Sequence, residues 1–270
     1  MKIENKRTYN WEAAFRGMRN PKESWSKSDS YFGIAKLDED RDVLDEVVCS
    51  YSPANDEEYE EIESWLANTG YIAHGEHAHE YAYIGKEDMR LAQTLIRAGT
   101  EHRKFMRQIF VSMDITAPLY WWKEADTYKV ATTANSTSTM HTILNKPITL
   151  DCFETDDYDS SLMLIDPINL GVRVDSFIND LEQLRQQFLL TKDKKYWKEL
   201  IRWLPESWLQ TRTWTGNYEN LLGICSKGQR RFHKLNEWSG IDNPDLINFI
   251  NEMRDLPYAQ QLIFLDECQD

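Results

Sequence analysis

The 270-residue chain is poor in the features that would commit it to a secreted, membrane-spanning or extended nucleic-acid-binding class. Its four cysteines, Cys49, Cys152, Cys225 and Cys268, are far apart and show no CxxC or related spacing, which excludes a zinc-knuckle pattern and a dense disulfide framework. They read as reduced, structural residues. No apolar run approaches the length needed to cross a bilayer, and the first residues, MKIENKRTYNWEAAF, lack the apolar stretch of a signal peptide, so a cytoplasmic protein with no membrane partner is expected. Gly/Ser-rich or Pro-rich linkers and internal repeats are missing as well, and one domain over 1–270 is the expectation. Positive charge is also scarce, with 31 Lys and Arg against 45 Asp and Glu and a net charge of −14. Such a field repels a long phosphate backbone on average, so extended nucleic acid is not an expected partner. A small anion held by a few local Arg or Lys residues remains allowed.

What is present is enough for a core, since 41% of the residues are hydrophobic and the 10 Trp and 13 Tyr are dispersed along the chain. An acidic, insertion-like stretch over 38–61 reads as solvated surface leading into a helix, in which Tyr59, Ile62, Trp65 and Leu66 recur at helical spacing up to Gly70. Met89, Leu91, Ala92, Leu95 and Ile96 predict a second helix over 87–98, stopped by Gly99. In RQIFVSMDITAP, Ile109, Val111, Met113 and Ile115 alternate with Gln108, Phe110, Ser112 and Asp114 and predict a strand. Pro118 then opens a short aromatic helix, LYWWKEADTY. Further helices are expected over 177–190, over 195–203, after Thr215 and over 244–253. Helices flanking a modest mixed or antiparallel sheet place the chain in the α+β class.

The stretch over 127–141, TYKVATTANSTSTMH, resembles neither a core strand nor a core helix. It sets small hydroxyls beside Asn135 with almost no bulky apolar group, a composition that suits close approach to a flat polar ligand and equally a Ser/Thr-rich surface turn. Within it Tyr128-Lys129-Val130 is followed by seven residues and then by Ser138, Thr139, Met140 and His141. Upstream lie LIRAGTEHRKF and ITAPLYWW; downstream, Leu204-Pro205 precedes Trp214-Thr215-Gly216-Asn217, and HKLNEW begins at His233. In order and spacing these blocks resemble the flavin-dependent thymidylate synthases. That family carries an Arg-His-Arg triplet, seven residues including an Asn, then Ser with an Arg-Tyr pair just beyond. The resemblance spans roughly 87–238, with a fainter match in AAFRGMRNP.

The resemblance implies the family's fold, a homotetramer clasping FAD, and reductive methylation of dUMP to dTMP with NADPH and methylenetetrahydrofolate. It implies Ser138, Asn135 and Lys129 as residues acting on the uracil ring. Ser138, Met140, Arg202, Arg230 and Arg231 take the nucleotide-binding positions, although the register at the three arginines is shifted. His102, Thr133 and Asn217 take flavin-contact positions. Met140 and Val130 stand where the family has arginine, and neither can form a bidentate grip on phosphate. Glu124 and Asp126 add carboxylates that would repel an anion unless paired or turned to a base edge. A nucleotide or flavin binder without turnover is the alternative that these departures motivate.

Three other signals compete. His74, His77 and His79 with Glu76 and Glu80 are dense in metal-ligating groups but match no ligand spacing, so no metal is assigned and a polar loop is the expectation. The aromatic segment around Trp121 and Trp122 reads as buried core or interface in preference to a base-stacking platform. The RRFHK cluster is either a phosphate site or a solvated helix end.

Overall fold

The computed structural model describes residues 1–36, 60, 72–74, 78–165, 168–240 and 245–267. The acidic stretch, apart from Glu60, and the helix expected to end at Gly70 lie outside them, as do Glu76 and His77. The chain divides into two compact units. One comprises Met1–Glu4, Asp114–Lys129 and Ala134–Trp214; the other comprises Asn5–Met113, Val130–Thr133 and Thr215–Asp270.

A four-stranded antiparallel sheet has the order β1 (Lys2–Tyr9), β5 (Phe110–Pro118), β7 (Leu209–Asn217), β6 (Thr133–Ser136). A second sheet has the order β2 (Tyr31–Lys36), β4 (Ala78–Tyr83), β3 (Ile72–His74), with Tyr31 opposite Tyr83 and His74 opposite Ala78. β3 and β4 replace the polar loop expected before the helix at 87, because strand pairing satisfies the backbone of this His-rich segment. Strand β5 follows its sequence pattern: Val111, Met113, Ile115 and Ala117 are buried, and the residues between them are not.

The polar face of β5 pairs with β7 through side chains. In the first unit Thr213 Oγ1 donates to Asp114 Oδ1 at 2.6 Å, and the Thr116 and Thr211 hydroxyls meet at 2.7 Å. In the second unit the Thr215 hydroxyl lies 3.4 Å from Ser112 Oγ. As the residue number rises on one strand it falls equally on the other, the signature of antiparallel register.

In the first unit, helix α3 (Leu119–Ala125) follows β5 directly, and its free amides at Leu119 and Tyr120 donate to the carbonyls of Trp208 and Glu206. Trp121 and Trp122 are both 1% exposed and meet edge to face, as core residues do. Beyond the single-turn helix α4 (Thr139–Thr142), helices α5 (Leu170–Thr191) and α6 (Lys194–Arg202) pack Ile178, Leu181 and Leu200 against Ile143, Ile148, Phe153 and Trp208. Helix α5 begins earlier than the expected 177 because Asn169 caps it, its side-chain oxygen accepting from Val172 N at 3.0 Å.

In the second unit, α1 (Trp11–Arg19) and α7 (Tyr218–Cys225) meet at Trp11, whose ring lies edge-on to Tyr218 and Tyr258. Helix α2 (Lys86–Arg97) matches its sequence pattern, with Ala92 and Ile96 buried and Gly99 at a φ of 103° just beyond. The helical run expected after Thr215 starts at Tyr218, because the strand continues through Asn217. Of the helix expected over 244–253, only Phe249–Met253 is helical among the described residues, since Asn248 is its cap. No helix of the described residues is long and apolar enough to cross a membrane.

Candidate functional site

Asn135 sits on β6, Ser138 caps α4, Met140 lies within that helix and Lys129 precedes the strand; all four belong to the first unit. Every side chain of β6 is exposed, so the hydroxyl and amide groups of this segment face solvent and do not fill a core. Ser138 accepts at its backbone carbonyl from His141 N, Thr142 N and Thr142 Oγ1, and makes no cap bond with its hydroxyl. Met140 is 53% exposed.

Arg212, which sequence reasoning passed over, is the cation that the first unit places beside this segment. Gln210 Nε2 donates to the Thr137 carbonyl at 3.0 Å, and Arg212 Nε donates to Gln210 Oε1 at 2.9 Å. The same guanidinium stacks over Trp122 at 4.2 Å and reaches Asp126 through Nη1 at 3.1 and 3.3 Å. Its side chain is 17% exposed. Asp126 is therefore paired, and the repulsion expected from that carboxylate is offset locally. The signal for Arg212 lies in the interval between Leu204-Pro205 and Trp214, where Gln210, Thr211, Arg212 and Thr213 form a polar run.

The remaining first-unit candidate, Arg202, is exposed and bound to Glu199 of its own helix, which also accepts from Trp203 Nε1. It is a helix-surface ion pair. Glu182 and Arg185 of α5 form a tighter one. Glu182 accepts from Arg185 Nε and Nη2, each at 2.8 Å, from Ile148 N at 2.8 Å and from Gln186 Nε2 at 3.0 Å, and Arg185 Nη1 donates to the Leu144 carbonyl at 3.0 Å. Those bonds hold the Glu182 carboxyl down to about 2, chiefly through Arg185, and fix the loop that follows α4.

The second unit carries His102, Thr133, Val130, Asn217, Arg230 and Arg231. His102 and Thr133 are exposed, and Val130 is 84% exposed. Asn217 is buried as the cap of α7: its Oδ1 accepts from Asn220 N at 3.0 Å, and Asn220 Oδ1 accepts from Asn217 N at 3.0 Å. Asn220 Nδ2 in turn donates to the Val130 carbonyl at 2.8 Å. A flavin contact from Asn217 would thus come from its amide nitrogen, the oxygen being held in the cap. Arg230 binds Glu267 at 2.5 Å, and Glu267 also takes a two-pronged bond from Arg254, whose guanidinium lies 4.2 Å over Phe264. Arg230 is thereby engaged in an ion-pair network of this unit. Arg231 is exposed over Phe232. His233 is buried, stacked on Trp238 and hydrogen-bonded to the Ile224 carbonyl at 3.2 Å.

In the first unit the exposed hydroxyls and amide of 134–138 suit contact with a flat polar ligand, and neither Val130 nor Met140 can form a bidentate phosphate grip. Among the described residues no cluster of three metal-ligating side chains occurs.

No family model matches the sequence, and no curated protein matches it. Two solved structures of the Helicobacter pylori flavin-dependent thymidylate synthase, both with FAD and dUMP, match in fold. One aligns over 98% of this chain and 99% of its own with a TM-score of 0.55 and 14% identity. The other aligns over 100% of both chains with a TM-score of 0.54 and 15% identity. The end-to-end match at this low identity establishes the architecture, and the chain has the fold of the flavin-dependent thymidylate synthases.

Proposed function

We propose that the chain binds a flavin and a uracil nucleotide and catalyses reductive methylation of dUMP to dTMP with FAD, NADPH and methylenetetrahydrofolate. The observation that supports this reading is the exposed hydroxyl and amide segment of 134–138, braced by Gln210 and Arg212, on a fold that in the H. pylori proteins holds FAD and dUMP. A flavin, when bound and reduced, supplies the hydride. Asn135 and Ser138 donate to the uracil carbonyl oxygens, Lys129 adds a positive charge, and together they stabilise charge developing on the ring. Arg212 supplies the phosphate with a charge that neither Val130 nor Met140 can give. His102, Thr133 and Asn217 contact the flavin, and Arg231 is a second nucleotide cation. A homotetramer, as in the family that the sequence resembles, would complete a site whose single-chain residues stand this open to solvent.

A second reading, binding without turnover, is favoured by the exposure of Val130 and Met140 in place of a guanidinium fork. The full-length protein, purified and mixed with FAD, separates the readings. A flavin spectrum, dUMP binding that Arg212→Ala weakens at least tenfold, and folate-dependent dTMP formation support the first. Binding without product supports the second. A protein that takes up neither FAD nor dUMP refutes both.

A further inference from the structure

An open groove of the second unit, about 740 Å³, contains none of the residues assigned above. The loop after α1 and the first turns of α2 line it: Lys22, Ser24, Ser26 and Lys27 on one side, Glu87, Arg90 and Thr94 on the other. Its base is polar and hydrogen-bonded. Arg19 Nε donates to Asp88 Oδ1 at 2.5 Å with both side chains buried, and the hydroxyls of Ser28 and Ser30 donate to Asp88 Oδ2 at 2.5 and 2.6 Å. Asp29 caps α2 by accepting from the amides of Glu87 and Asp88 at 2.8 and 2.9 Å. A side chain at Gly85 would collide with Asp29 at 2.2 Å, so the loop is pressed against the helix start.

Of the loop's acids Asp29 is engaged at the helix start and Glu23 is not, and the loop's two lysines make no ion pair among the described residues. Arg19 is neutralised by Asp88, whereas Lys22, Lys27 and Arg90 make no ion pair among the described residues. Two carboxylates, Glu23 and Glu87, oppose these three cations, so the lining is net positive in a chain of net charge −14. Leu91 is the one aliphatic residue of the lining, whose other members all carry polar or charged groups. Ser24, also in the lining, makes no side-chain cap bond.

We infer that this cavity binds a phosphorylated small molecule of nucleotide size. The volume lies within the range of ligand pockets, about 300–1,000 Å³. Two ammonium groups, a guanidinium and hydroxyl donors suit tetrahedral oxyanions. Glu23 and Glu87 would oppose a bare polyanion and suit a guest that brings its own donors, such as sugar hydroxyls or a base edge. A nucleoside diphosphate meets both conditions.

The test is calorimetric titration of the full-length protein with ADP and GDP, with citrate as a polyanion that lacks phosphate. Saturable binding of ADP or GDP is expected, at least tenfold weaker in Lys22→Ala/Lys27→Ala/Arg90→Ala and unaltered in Lys194→Ala/Lys198→Ala, which removes surface charge elsewhere. Thermal melting confirms that the variants are folded; Lys22→Gln/Lys27→Gln reads the same loss should the triple variant melt early. No saturable binding of ADP and GDP, an equal loss in the Lys194/Lys198 control, or citrate binding as tight as ADP would overturn the inference.

Discussion

Replacing Glu182 by Gln keeps the size of the side chain and removes the charge that anchors α5 to the loop at 144–148. The carboxyl is 16% exposed, and its partner Arg185 is buried, so the substitution leaves a guanidinium without its counter-charge. A fall from the ordinary 4.5 to about 2 corresponds to roughly 3.4 kcal/mol at about 1.36 kcal/mol per unit. Residual solvent contact reduces this to about 2 kcal/mol. The folded-state value is depressed, so the contribution is fully present above the unfolded-state value near 4.5 and is lost as the pH falls through about 2. Urea denaturation of the wild-type protein and Glu182→Gln at a series of pH values reads this directly. A difference of about 2 kcal/mol is expected at pH 7, shrinking steadily below pH 4.5. A constant difference across that window, or one below about 0.5 kcal/mol at pH 7, would refute the charge-based account.

Asp88→Ala should cost about 3–5 kcal/mol, because it strands a buried Arg19 and two serine hydroxyls; a loss under about 1 kcal/mol in chemical denaturation would show that the site admits water. Asn217→Ala should destabilise by about 1 kcal/mol through loss of the helix cap, whereas Asn217→Ser restores a cap acceptor. If Asn217 also donates to flavin, both variants lose flavin absorbance, and retention of flavin by Asn217→Ser leaves only the structural role. Burial raises the Cys225 thiol far above its usual range, so iodoacetamide at mildly alkaline pH should modify neither Cys225 nor buried Cys152 until urea is added; peptide mass mapping of the native protein checks this.

The parts of the fold legible in the sequence are those whose burial has one dominant period. Strand β5 buries every second residue, and α2 buries Ala92 and Ile96 on one face before Gly99, so both could be read from spacing. Strand β7 could not. Most of its length, including Gln210, Thr211 and Arg212, is neither fully buried nor exposed, and its large apolar residues are only Leu209 and Trp214, five positions apart and so out of step with an alternating pattern. Strand β1 is rich in charge and fully buries only Thr8, a composition without alternation to detect. The hydroxyl-rich segment was recognisable as something other than core, and its exposed strand agrees. The role of Arg212 was hidden because it depends on Trp122, Asp126 and Gln210, partners that meet only once β7 lies beside β6 and α3 has folded back.

The direct passage from β7 into α7 has a consequence for how this chain can vary. Strand ends and helix begins at Asn217 with no intervening turn, and the reciprocal bonds with Asn220 fix the junction. Each residue of a helix advances its face by about 100°. One inserted residue at this point would swing Tyr218, Leu221, Leu222 and Cys225 away from the interior and set Asn220 out of reach of the Val130 carbonyl. The junction acts as a gear with fixed teeth: it tolerates exchange of residues that keep a cap and rejects any change of length.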